Sequence, residues 1–153
     1  MINGSLLIKK LLSSNWISVN TTNRVPNFNE YYEKKRVNGF DDTDEALIYN
    51  RATTETPSAI GNISRNVVNR VCIDIRTNLS DLHINLMEKE IRRIIRTNVN
   101  YLVLEGTTHS TPGQQIIIEI TNTNPFSNSE NNNTFKNFRR VIELTLTSPK
   151  EEW

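Results

Sequence analysis

The sequence predicts an α+β domain: a mostly antiparallel sheet with two main helices packed on one face. Three observations carry that reading. Val67, Val71, Ile73 and Ile75 alternate with Asn66, Arg70, Cys72, Asp74 and Arg76, the period of a strand with one face on a core. Directly afterwards Ile84, Met87, Ile91, Ile94 and Ile95 recur at helical spacing. Near the end, Ile142, Leu144 and Leu146 alternate with Val141, Glu143 and Thr145. At 153 residues the chain has the length of one domain, so 1–153 is read as a single unit.

The elements follow in order. Ser5 to Trp16 reads as a helix, because Leu7, Ile8, Leu11 and Leu12 share a face; Asn3 or Ser5 is its expected cap. Ile17 to Val19 is expected to be extended. Residues 21–44 are polar and form a long connection, which implies a short element or an interface inside it. Phe28, Tyr31, Tyr32 and Phe40 are its aromatic anchors. Ala46 to Arg51 reads as a strand and 52–65 as a second polar loop. The long strand covers Asn66 to Thr77, with only Asn69 interrupting its apolar side. Asn78 or Ser80 then caps a helix that runs to Arg96. Asp81 sits at its positive end, Arg92, Arg93 and Arg96 near its negative end, and Glu88 and Arg92 form an i,i+4 pair. Tyr101 to Leu104, Gln115 to Thr121 and Phe138 to Thr147 complete the strands. Residues 122–133, rich in Asn, Ser and Thr, read as a third polar loop. The tail from Pro149 to Trp153 is expected to fray.

Composition excludes several classes. Lys plus Arg is 18 against 17 for Asp plus Glu, a net charge of +1, which argues against affinity built on massed cations. One cysteine, Cys72, forms no internal disulfide and no multi-cysteine zinc site. The opening apolar run breaks at Lys9 and Lys10, too short for a signal peptide or a membrane span. Synthesis in a reducing cytoplasm and no membrane partner are the expectations.

No residue set makes a catalytic motif. His83 and His109 lack ligand-spaced partners and are expected at the surface without a metal. Cys72 has no local base, and is read as a buried or interface thiol. Asp74, Glu119 and Glu143 lie on three predicted strands, as the carboxylates of metal-dependent nucleases do. Such sites usually add a lysine two residues after the Glu, and here that residue is Thr121. Ion contacts with Arg76 and Arg139 on the same strand faces explain Asp74 and Glu143 well, and are the favoured reading. Arg92, Arg93, Arg96, Arg139 and Arg140 would form a basic patch if the last strand began near the end of the second helix. The alternating charges Arg70, Asp74 and Arg76 suit a subunit boundary, where opposite charges fix register.

The element order and its residues resemble a family. An N-terminal amphipathic helix precedes a polar stretch and the strand Ala46-Leu47-Ile48-Tyr49-Asn50-Arg51. Then comes Asn69-Arg70-Val71-Cys72-Ile73-Asp74-Ile75-Arg76-Thr77, which leads into the helix with Glu88-Lys89-Glu90-Ile91-Arg92-Arg93-Ile94-Ile95. The chain ends with Asn137-Phe138-Arg139-Arg140-Val141-Ile142-Glu143-Leu144. This pattern resembles the tail-terminator and neck (head–tail joining) proteins of tailed phages and related viruses. The resemblance implies an α+β fold, a homohexameric ring and a place in the virion between the tail tube and the neck or connector protein. It implies no cofactor and no catalytic residue, with DNA passing through the lumen without specific binding. Arg70, Asp74, Arg76, Arg139 and Arg140 are then the expected interface or lumen residues. The competing expectation is a metal-dependent nuclease or another nucleic-acid-processing enzyme.

Overall fold

A computed structural model describes residues 4–30, 44–57, 65–98, 100–102, 115–126 and 138–149. Tyr31, Tyr32, Phe40, His109, the cap expected at Asn3 and the tail beyond Pro149 lie outside the described residues. The fold is α+β. Six strands stand in the order β1-β2-β3-β6-β5-β4. They are β1 (Asn27–Glu30), β2 (Glu45–Pro57), β3 (Arg65–Thr77), β4 (Asn100–Leu102), β5 (Gln115–Phe126) and β6 (Phe138–Pro149). Only β1 and β2 run parallel; every other pairing is antiparallel.

The strand alternation decides what each face of the sheet carries. Ile48, Ile73 and Ile142 stand side by side across β2, β3 and β6, as do Val71 with Leu144. With Ile116 and Ile118 of β5 they meet α1 (Gly4–Asn15) and α2 (Asp81–Thr97) in one core. Both helices therefore cover the same face. α1 contributes Ile8, Leu11 and Leu12, and α2 contributes Ile84, Met87, Ile91, Ile94 and Ile95. The α2 stripe is the one its spacing predicts. Ser80 caps it by accepting from the His83 N–H at 3.2 Å. Glu88 and Arg92 form the expected i,i+4 pair at 3.5 Å.

Tertiary partners seat α1. Asn50 of β2 accepts from the Ser5 N–H at 3.0 Å, and its amide donates to the Ser5 hydroxyl at 3.1 Å. Ser5 is thus inside the helix, and the group that satisfies its amide comes from the sheet. Gly4 makes this approach possible: a Cβ there would lie 2.7 Å from a Val71 methyl.

Three expectations are corrected. Residues 52–57 are strand, because β2 keeps pairing with β3 as far as Pro57 opposite Arg65. Residues 122–126 are strand as well, paired with β6 beyond an irregularity between Ile120 and Asn122. Both stretches are polar on both faces, and a partner strand holds them where periodicity gives no signal. Of Ile17 to Val19 only Ile17 is extended; a 3-10 turn covers Ser18–Thr21 and packs near α2. The short element expected within 21–44 is β1, where Phe28 meets Trp16 edge to face at 5.4 Å. Asn69 is buried, and its side-chain oxygen accepts from Thr53 at 2.8 Å.

Candidate functional site

No described helix covers the second sheet face, and polar side chains from three central strands meet there. β3 places Arg70, Cys72, Asp74 and Arg76 on it, β2 places Tyr49 and Arg51, and β6 places Arg139 and Glu143. Arg76 stands directly opposite Arg139. Two like charges in that relation repel. Asp74 resolves the conflict: its carboxylate accepts from Arg139 at 2.9 and 3.0 Å and from Arg76 at 3.3 Å. Leu47 and Val141 flank Asp74 on the neighbouring strands, and Asp74 is only 3% exposed. Asp74 is therefore buried, and its charge is matched inside the subunit by two arginines. Arg70 remains exposed and Arg76 half-buried.

One step along the ladder, Tyr49 faces Cys72, and Glu143 faces Cys72 from the other side. Burial, followed by the neighbouring Cys72 and Asp74, pushes the Tyr49 phenol up to about 12. Burial also raises the Cys72 thiol, and Glu143 adds to the rise. Both groups stay protonated at neutral pH, so the thiol is a poor nucleophile. Glu143 pairs with Arg51 at 3.1 Å rather than with Arg139. The three carboxylates proposed for metal binding do not converge. Asp74 is held by two arginines and Glu143 by Arg51, while Glu119 stands exposed on β5 opposite Thr145.

Arg140 belongs to the opposite face. It donates to the Asn85 side chain at 2.6 Å and stands 3.7 Å from Glu88, both on α2. β6 begins beside the start of α2, because Phe138 pairs with Thr77 just before that helix. Arg92 and Arg140 meet at Glu88, but Arg139 lies on the other sheet face, so the five arginines expected as a basic patch, Arg92, Arg93, Arg96, Arg139 and Arg140, do not share one face. Arg92 donates to Thr123 at 2.8 Å, and Arg93 holds Glu90 and the Asn15 carbonyl.

Two polar groups inside the helix side were not visible in the sequence. His83 is buried, 4% exposed, against the expectation of a surface histidine. Its Nε2 pairs with Asp44, whose carboxylate also accepts from Thr77 Oγ1 at 2.7 Å and meets Arg24 at 3.2 Å. The Asp44 carbonyl accepts from the Asn27 N–H at 2.8 Å. One residue thus ties β1, β2, the end of β3 and the first turn of α2. Thirty-nine residues separate Asp44 from His83, so no local motif announces the pair. Glu90, also buried, accepts from the Ile17 N–H at 2.8 Å, from Asn20 and from Arg93.

Burial alone would raise the Glu90 carboxyl. Its hydrogen bonds from Arg93, Ile17 and Asn20 overcome this and hold it below the ordinary range. A depressed carboxylate adds stability above its unfolded value, about 4.3, which is lost as pH falls through the folded value. In urea titrations between about pH 6 and 3, the wild type should lose more stability than Glu90→Gln. Equal losses would contradict the role given to Glu90.

No protein-family model matches the chain, and no curated protein matches it. The site's reading therefore rests on its own chemistry. Among the described residues, no three His, Cys, Asp or Glu side chains gather as metal ligands. Likewise, no described helix is long and apolar enough to cross a membrane.

Proposed function

We propose that this protein is a structural virion subunit, a tail terminator or neck protein that forms a ring between the tail tube and the head–tail connector. The observation that supports this reading is the state of the sheet face that no described helix covers. Two of its carboxylates, Asp74 and Glu143, are neutralised by arginines, Glu119 stands exposed on the outer strand β5, and its thiol and phenol stay protonated. A face of that kind offers fixed shape and matched charge to a neighbour, not a reacting group. The near-neutral chain, at +1, lets copies pack together and lets DNA slide past them. The mechanism is geometric: one side of the ring meets the last tube ring and the other meets the connector. The nuclease reading gains nothing from the geometry, because its three carboxylates are engaged or apart.

Native mass spectrometry and tail-binding assays test the proposal. The wild type should form a discrete ring in solution or on purified tails that lack their terminator. Arg70→Glu, a change at the exposed charge of β3, should weaken assembly while leaving the thermal melt of the monomer unchanged. A wild type that remains monomeric in both settings would overturn the ring reading.

A further inference from the structure

We infer that the free protein forms a face-to-face dimer, in which the exposed part of the second sheet face covers the same part of another copy about a two-fold axis along β6. The inference goes beyond the ring reading and does not rest on it, because it concerns the chain before it meets a tail. Strand register sets the pattern. Arg70 of β3, Thr145 of β6 and Glu119 of β5 stand side by side, and Val68, Thr147 and Ile117 make the next row of the same face. Arg70 and Glu119 are exposed, and neither forms an ion pair among the described residues. The other arginines of this face, Arg51, Arg76 and Arg139, already hold a carboxylate. One cation and one anion are thus left over in a single row. Beside them Ile117 is 41% exposed, an apolar side chain left at the surface.

Charge complementarity selects a second copy as the occupant. The row is antisymmetric about β6, with the cation one strand to one side and the anion one strand to the other. A two-fold axis along β6, lying between two facing sheets, lays Arg70 on the partner's Glu119 and Glu119 on the partner's Arg70. The same rotation lays Val68 on the partner's Ile117 and brings Thr145 and Thr147 to the axis. Every contact is then made twice, as an interface between like surfaces requires. A two-fold axis across the strands would instead set Arg70 against the partner's Arg70, and like charges reject it. Facing sheets stand about 10 Å apart, a gap that an arginine and a glutamate span together. Glu143, one row further along β6, also comes to the axis, and Arg51 of its own subunit neutralises it at 3.1 Å. Few side chains take part, so the contact belongs to the small, weak class and takes the form of a monomer–dimer equilibrium.

Charge exchange tests the pairing on the full chain. In sedimentation equilibrium the wild type should pass from monomer to dimer as concentration rises. Arg70→Glu and Glu119→Arg each turn both cross-subunit attractions into repulsions, and each should weaken the dimer by at least about ten-fold. Their thermal melts as monomers should match the wild type, since both sites are exposed. An equal mixture of the two variants should recover the dimer as one copy of each, because both ion pairs re-form with their signs exchanged. Thr145→Cys should cross-link to its own kind through a short bismaleimide, with the wild type, whose Cys72 is 1% exposed, as the background. A mixture that associates no better than either variant alone would overturn the pairing of Arg70 with Glu119. A dimer that gives no Thr145→Cys cross-link would overturn the axis along β6. A wild type found in solution only as a monomer, or only as a ring, would overturn the dimer, and the ring reading keeps its own test on tails.

Discussion

Replacing Asp44 by alanine is expected to destabilise the fold by about 3–5 kcal/mol, the range for breaking a buried charged pair. Asp44 is 1% exposed and serves His83, Thr77 and Arg24 at once. The change leaves a buried imidazole and a buried hydroxyl without their acceptor, and each such orphan costs about 1–3 kcal/mol. It also unties the first turn of α2 from the start of β2. Urea unfolding measures the loss. Thr77→Val removes one donor only and should cost less, so the order of the two variants checks the network. A loss below about 0.5 kcal/mol for Asp44→Ala, typical of a surface change, would show that the cluster bears no load.

The second large effect is expected at Asp74. Without its carboxylate, Arg76 and Arg139 face each other across β3 and β6 as like charges. Asp74→Ala should cost about 1.5–3 kcal/mol, the range for hydrogen bonds to charged groups, because Arg139 keeps 35% of its side-chain surface in water. The pair Arg51–Glu143 is the internal comparison. Its arginine is 61% exposed, and exposed pairs contribute only about 0–1 kcal/mol. Arg51→Ala should therefore be nearly silent in a thermal melt. Equal melts for Asp74→Ala and Arg51→Ala would contradict the assignment. The result also fixes how Asp74 variants are read in assembly assays. Loss of rings in Asp74→Arg would report lost folding first, so the exposed Arg70 is the cleaner probe.

The central part of the fold was legible because burial there is one-sided. Val71, Ile73 and Ile75 alternate strictly, and the Ile84 to Ile95 stripe follows helical spacing, so each pattern names its own face. The outer parts were not legible. Residues 52–57 and 122–126 are mostly Thr, Asn and Pro, the composition of a loop, and they are strands only because β3 and β6 pair with them. The polar site was half legible. The alternation Arg70, Asp74, Arg76 puts the right residues on one face, but it does not tell that Asp74 is buried. Its burial depends on Arg139, 65 residues away. Asp44 and His83 gave no signal at all, since a lone acid before a strand and a lone histidine in a first turn are ordinary in themselves.

The placement of β6 has a consequence for the order in which the chain matures. β6 lies between β3 and β5, yet it is made after both. Until residues 138–149 emerge, β3 has β2 on one side only, and β5 with β4 has no sheet to join. Closing the domain therefore waits on contacts such as Asn66 with Pro149, far apart along the chain. Chains dominated by such distant pairings fold in about milliseconds to seconds rather than microseconds. A nascent chain halted before Phe138 would hold two bare strand flanks at once, one on β3 and one on β5, so synthesis itself carries this protein through its most aggregation-prone form shortly before its last strand arrives.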